Sequence, residues 1–76
     1  MTGFDSELNA AGLNCPLPIL KTKKAITELQ AGQVIKVVAT DPGAVKDFEA
    51  FCKQTGHELV EQEQGGGEFV FYIRKH

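Results

Sequence analysis

Seventy-six residues suffice for one domain and are too few for a domain that also encloses a deep substrate cavity. With 42% hydrophobic and 24% charged residues, the chain lies well away from the weakly hydrophobic, highly charged compositions that stay disordered. The formal net charge is -2 and the basic residues are spread between Lys21 and Lys75, so no dense basic stripe offers itself to a phosphate backbone, and direct nucleic-acid binding is not expected.

No N-terminal run pairs a positive start with an apolar core, and no stretch approaches the roughly 18 apolar residues of a membrane span. Neither secretion nor membrane contact is expected, which leaves the cytoplasm as the default compartment. The two cysteines, Cys15 and Cys52, are far apart. They make neither a secreted disulfide framework nor a zinc site, which needs further Cys or His ligands at short spacing.

In chain order, a short alternating segment at Glu7 to Ala10 reads as a strand ended by Gly12. Cys15-Pro16-Leu17-Pro18 then leads into a run from Ile19 to Gln30 that contains no helix breaker. At about 100° per residue, Ile19, Thr22, Ala25, Ile26 and Leu29 share the core-facing side of this helix, with Gly32 placed to end it. Val34 to Thr40 is β-branched and apolar, hence a strand. Asp41-Pro42 offers a cap and a first helical residue for a second helix, whose Ala44, Val45, Phe48, Phe51 and Cys52 fall opposite Lys46, Asp47, Glu49 and Lys53 until Gly56 stops it. His57 to Glu63 and Phe69 to Arg74 read as two more strands, joined through Gly65, Gly66 and Gly67 as a flexible hairpin turn.

No repeat or linker interrupts the chain, so residues 1–76 are read as a single domain of order βαβαββ. Two helices cover one face of a four-stranded mixed sheet, giving a two-layer α/β sandwich. The first three strands run parallel and the last returns, so Cys15, Asp41 and the glycines belong to one end and His57 and Arg74 to the other. Val34, Val38, Val70 and Tyr72 face away from the helices.

Cys15 stands at the start of a helix stiffened by Pro16 and Pro18, each of which fixes φ and withdraws a backbone donor. A helix dipole favours an anion there by roughly 0.3–1 kcal/mol, less than the roughly 1.36 kcal/mol that lowers a pKa by one unit. An ordinary thiol of pKa about 8.5 is only about 3% ionised at neutral pH, so the expected activation is modest, sufficient for attack on an already activated sulfur. The bland alternative is that Cys15 is a small buried hydrophobe in a loop.

The string Ala11-Gly12-Leu13-Asn14-Cys15-Pro16-Leu17-Pro18, followed by Asp41-Pro42 and Asp47-Phe48, resembles the TusA (SirA-like) family of sulfur carriers over nearly the whole chain. The resemblance implies the same βαβαββ sandwich and a persulfide on Cys15. It implies loading by a cysteine desulfurase or a rhodanese-like sulfurtransferase, and delivery to a downstream acceptor protein in tRNA thiolation, cofactor synthesis or sulfur-compound oxidation. The persulfide is itself the transient covalent state, so no cofactor and no metal is implied, and the chemistry depends on partner enzymes. Asn9 stands where an acidic residue is common in this family. Leu17 fills the variable place between the prolines, where an acidic residue is also common.

On the helix wheel Leu17 and Leu20 fall near Lys21 and Lys24, away from the core face. With Pro16 and Pro18 they form the expected docking patch beside the thiol; the alternative is that the leucines fold back onto the sheet edge and add core area. Cys52, on the apolar side of the second helix, is expected to be buried and inert. Cys15 lacks a resolving cysteine two residues away, which argues against a thioredoxin-like oxidoreductase. His57 belongs to the opposite end and His76 ends the chain, so no Cys–His dyad is expected. Two rival functions keep the same residues: a redox-sensing or regulatory protein-interaction module, and a self-sufficient thiosulfate sulfurtransferase, for which Lys21 and Lys24 are a thin anion site.

Overall fold

The computed structural model describes residues 3–14 and 16–76. Six elements follow in the expected order: β1 (Ser6–Ala10), α1 (Leu17–Ile26), β2 (Val34–Ala39), α2 (Ala44–Thr55), β3 (Glu58–Gly65) and β4 (Glu68–Arg74). The strands form one sheet in the order β1-β2-β4-β3. β1 and β2 pair in parallel, and β4 runs antiparallel to both of its neighbours, β2 and β3. The first three strands therefore point one way and β4 returns between β2 and β3. This is the two-layer α/β sandwich expected from the sequence.

The core lies between the sheet and the two helices. Register brings Ile35 opposite Ile73, Val37 opposite Phe71 and Ala39 opposite Phe69, so strand alternation sends these pairs to the helix side. Phe48 of α2 stacks on Phe71 with ring centroids 4.5 Å apart and meets Phe51 edge-on. α1 contributes Thr22 and Ile26, both buried, and the Thr22 hydroxyl donates to the Pro18 carbonyl at 2.8 Å. Val38 and Val70 pair on the other face, as expected, and there Tyr72 is buried with the Phe4 ring 6.3 Å away. No helix among the described residues is long and apolar enough to cross a membrane.

Several boundaries differ from the sequence expectation. α1 starts at Leu17, with Pro16 as its N-cap and Pro18 in its first turn, and stops at Ile26 rather than running to Gln30. At its C-terminal end the Thr27 hydroxyl donates to Lys24 O, and the following amides bond three residues back instead of four. Lys75, distant in sequence, donates through Nζ to the carbonyls of Leu29 and Thr27, so the helix end finds its partner in the last strand's tail. Gly32 (φ 91°) does not cap the helix; it turns the chain into β2.

α2 opens at Ala44, later than Asp41-Pro42 suggested. The Asp41 carboxylate accepts from the Gly43 amide and the Asp41 carbonyl from Ala44, so these residues spend themselves on a turn ahead of the helix. Gly56, at φ 85°, ends α2 as expected, its amide donating to Cys52 O. β3 is longer than expected because the hairpin turn consists of Gly66 and Gly67 alone, both at positive φ, while Gly65 is paired with Glu68 in the sheet.

Candidate functional site

The C-terminal ends of β1 and β2 and the N-terminal ends of both helices meet at one edge of the sandwich. Two loops leave the strands here, and a cross-link holds them: the Gly12 amide donates to the Thr40 hydroxyl at 2.8 Å. Gly12 sits at φ 82°, a conformation only glycine adopts without strain, so this contact fixes a turn that other residues resist. The Ala11 amide donates to Asn9 Oδ1, which closes the same turn from inside. Asn9 thus serves the backbone as a neutral acceptor.

Cys15, the expected reactive residue, lies outside the described residues. The residues on either side are described. Asn14 and Pro16 are exposed, and the Asn14 carbonyl accepts from the Leu17 amide at 2.8 Å. Pro16 is the N-cap residue of α1 and Pro18 falls in its first turn, which also contains no acidic side chain. The positive end of the helix therefore stays unneutralised by its own sequence.

The remaining candidates separate into two groups. Leu17 and Leu20 are 45% and 53% exposed, two of the three exposed large hydrophobic residues among those described, and Lys21 and Lys24 are exposed beside them. The patch expected from the helix wheel is present at the surface. Pro18 is a correction: it is buried, because its place four and eight residues before Thr22 and Ile26 turns it onto the core face. It shapes the helix start and presents nothing to a partner. Residues 11–27 hold three lysines, including Lys23, and no acid, in a chain whose net charge is -2.

Sequence reading missed two features of this edge. One is Thr40, which it assigned to the end of a strand. The other is a groove between the helices, lined by Pro16 and Ile19 of the first and by Asp47, Ala50, Phe51 and Gln54 of the second. The spacing of Asp47, Ala50 and Gln54 along one side of α2 was the available signal, but only packing shows that Ile19 and Pro16 face them.

Cys52 is buried in the core cluster, and burial pushes its thiol up to about 11. It is a hydrophobe in practice, as expected. His57 lies at the opposite end of the sheet, where its Nδ1 accepts from the His76 amide at 2.9 Å. Burial, then Lys75 and His76, lower its pKa. Asp41 is at the candidate edge, engaged in the turn before α2. Among the described residues no three His, Cys, Asp or Glu side chains are grouped to hold a metal ion.

Known proteins agree with this arrangement over almost the full length. The family model described as sulfurtransferase TusA matches residues 6–75. The sulfur carrier protein TusA of Allochromatium vinosum is 60% identical over 75 residues, covering 99% of each chain. A putative sulfur carrier protein of Bacillus subtilis is 49% identical over 71 residues, covering 93% of this chain and 95% of its own. The crystal structure of a SirA-like protein from Desulfitobacterium hafniense superposes with a TM-score of 0.81 at 26% identity, covering 92% of this chain and 96% of that one. With the motif around position 15, the strand order and these relatives in agreement, the chain belongs to the TusA family.

Proposed function

We propose that this protein is a sulfur carrier in which Cys15 accepts a sulfane sulfur from a donor protein, holds it as a persulfide and passes it to a downstream acceptor protein. The observation that carries the reading is the contrast between the two cysteines. Cys52 is sealed in the core with its thiol pushed up to about 11, whereas the residues flanking Cys15 are exposed at the N-terminal end of α1. Relatives that share this chain's full length carry the name sulfur carrier protein.

The exchange balances without an external oxidant. The Cys15 thiolate attacks the outer sulfur of the donor's persulfide, the donor's S–S bond breaks, and the donor thiolate leaves as the new S–S bond forms on Cys15. Delivery repeats the same step with Cys15 as the leaving group. No cofactor enters, and acid/base assistance falls to the partners: a cysteine desulfurase or a rhodanese-like enzyme upstream, and an acceptor serving tRNA thiolation, cofactor synthesis or sulfur oxidation downstream. A persistent free thiol fits the cytoplasm, where thiols are kept reduced. Pro16, Leu17, Leu20, Lys21 and Lys24 form the face that meets these partners, and Pro18 holds that face in shape.

Intact-protein mass spectrometry after incubation with a cysteine desulfurase and cysteine tests the reading. The expected result is the added mass of one sulfur atom, lost on reduction, absent in Cys15→Ser and kept in Cys52→Ser. If the sulfur adds equally to Cys15→Ser, or if neither this donor nor a rhodanese with thiosulfate loads the wild type, the carrier reading is wrong.

A further inference from the structure

The groove between α1 and α2 is an open surface hollow of about 220 Å³. That lies below the roughly 300–1,000 Å³ of cavities that take small ligands, and suits a single side chain. Pro16, Ile19, Ala50 and Phe51 give it apolar walls, with Asp47 and Gln54 as its polar members. Pro16, which lines it, is bonded to Cys15, so whatever enters the groove stands beside the reacting residue. The adjoining helix carries Lys21, Lys23 and Lys24, all exposed, with no acid between residues 11 and 27.

We propose that this groove is the socket for one aromatic or branched aliphatic side chain of the protein that delivers sulfur to Cys15. That side chain sits on the partner's persulfide-bearing loop and is flanked by acidic residues facing Lys21, Lys23 and Lys24. The inference rests on the carrier reading and adds how the donor is held. Sulfur exchange needs the donor's outer sulfur to approach along the line of the bond that breaks, and a fixed anchor one residue away turns a loose encounter into an aligned one. Apolar anchors seated in pockets supply much of the affinity of an interface, while facing charges set its register and on-rate. A second copy of this chain is a poor occupant, because a two-fold contact through this face would set its lysines against each other.

The test fills the groove from α2. Ala50 is exposed and lines it, so Ala50→Phe occupies the socket and Ala50→Leu part of it; Lys53→Ala, outside the groove on the same helix, is the control. Each variant is loaded by purified cysteine desulfurase with cysteine and by purified rhodanese with thiosulfate, followed by intact mass, with sodium polysulfide as a partner-free donor. With the protein donor that loads wild type faster, Ala50→Phe is expected to need about tenfold more carrier for half-maximal loading, Ala50→Leu an intermediate amount, and Lys53→Ala no more than wild type. Polysulfide is expected to load all of them alike. A folded Ala50→Phe that loads like wild type overturns the socket; if Ala50→Phe fails to fold, unchanged loading of Ala50→Leu overturns it. Loading of wild type by neither protein donor, whether or not polysulfide loads it, instead sinks the carrier reading beneath it.

Discussion

Burial alone decides the chemistry of the Cys52 thiol. Nothing in the core stabilises a thiolate at position 52, and desolvation alone raises that thiol from 9.0 to about 11. In the unfolded chain it ionises near its ordinary value, so between pH 9 and 11 the unfolded state releases a proton that the folded state keeps. Stability contributed by the neutral thiol is therefore full below pH 9 and is lost as the pH rises towards 11. Two pKa units correspond to at most roughly 2–3 kcal/mol. Urea midpoints of wild type and Cys52→Ala, measured at pH 8 and pH 10.5, should converge at the higher pH; a constant gap would mean that position 52 reaches solvent in the native state. The same burial predicts that an aromatic disulfide reagent labels Cys52 only after unfolding.

Single elements show what a sequence reveals and where it stops. The β-branched run at Val34 to Thr40 and the one-sided apolar pattern of α2 are local facts, and both elements formed, β2 ending one residue early at Ala39 and α2 opening late at Ala44. The roughly 100° steps along α1 left Leu17 and Leu20 either exposed or folded back onto the sheet edge, and packing decides for exposure. The C-terminal end of that helix was not legible, because the carbonyls of Thr27 and Leu29 just past it are taken by the amine of Lys75, 46 residues from Leu29. The groove was also illegible, since it belongs to the packing of two helices and to neither alone. Glycines divide along the same line. Gly56 was read as a helix stop and has φ 85°; Gly65 was read as part of a turn and is a paired strand residue. Gly56→Ala forces a side chain into left-handed backbone and sets its Cβ 3.4 Å from the His76 ring, which should cost about 1–2 kcal/mol. For a domain of this size that lowers Tm by roughly 4–16 °C. Gly65→Ala, at a position with open space and no positive φ, should leave Tm unchanged or slightly raised. Thermal unfolding of the two variants side by side checks the assignment, and equal losses would return Gly65 to the turn.

Across the whole molecule, charge and shape set how a partner approaches. The chain extends over 30 × 25 × 18 Å, carries a net charge of -2 and yet presents three lysines and no acid on residues 11–27. An acidic partner therefore meets repulsion at long range and attraction at short range, and salt selects between them. At about 0.01 M ionic strength the Debye length is about 30 Å, so the partner senses the whole molecule. At about 0.1 M it is about 10 Å and the lysine face dominates, and at about 1 M it is about 3 Å and neither acts. Loading by a protein donor should accordingly be fastest near 0.1 M and slower on both sides. Lys21→Glu with Lys24→Glu should remove that maximum and slow loading there by roughly tenfold, while polysulfide, which needs no docking face, shows no such maximum in either protein. A monotonic salt response shared by wild type and the double variant would mean that the donor docks without the lysines of this face.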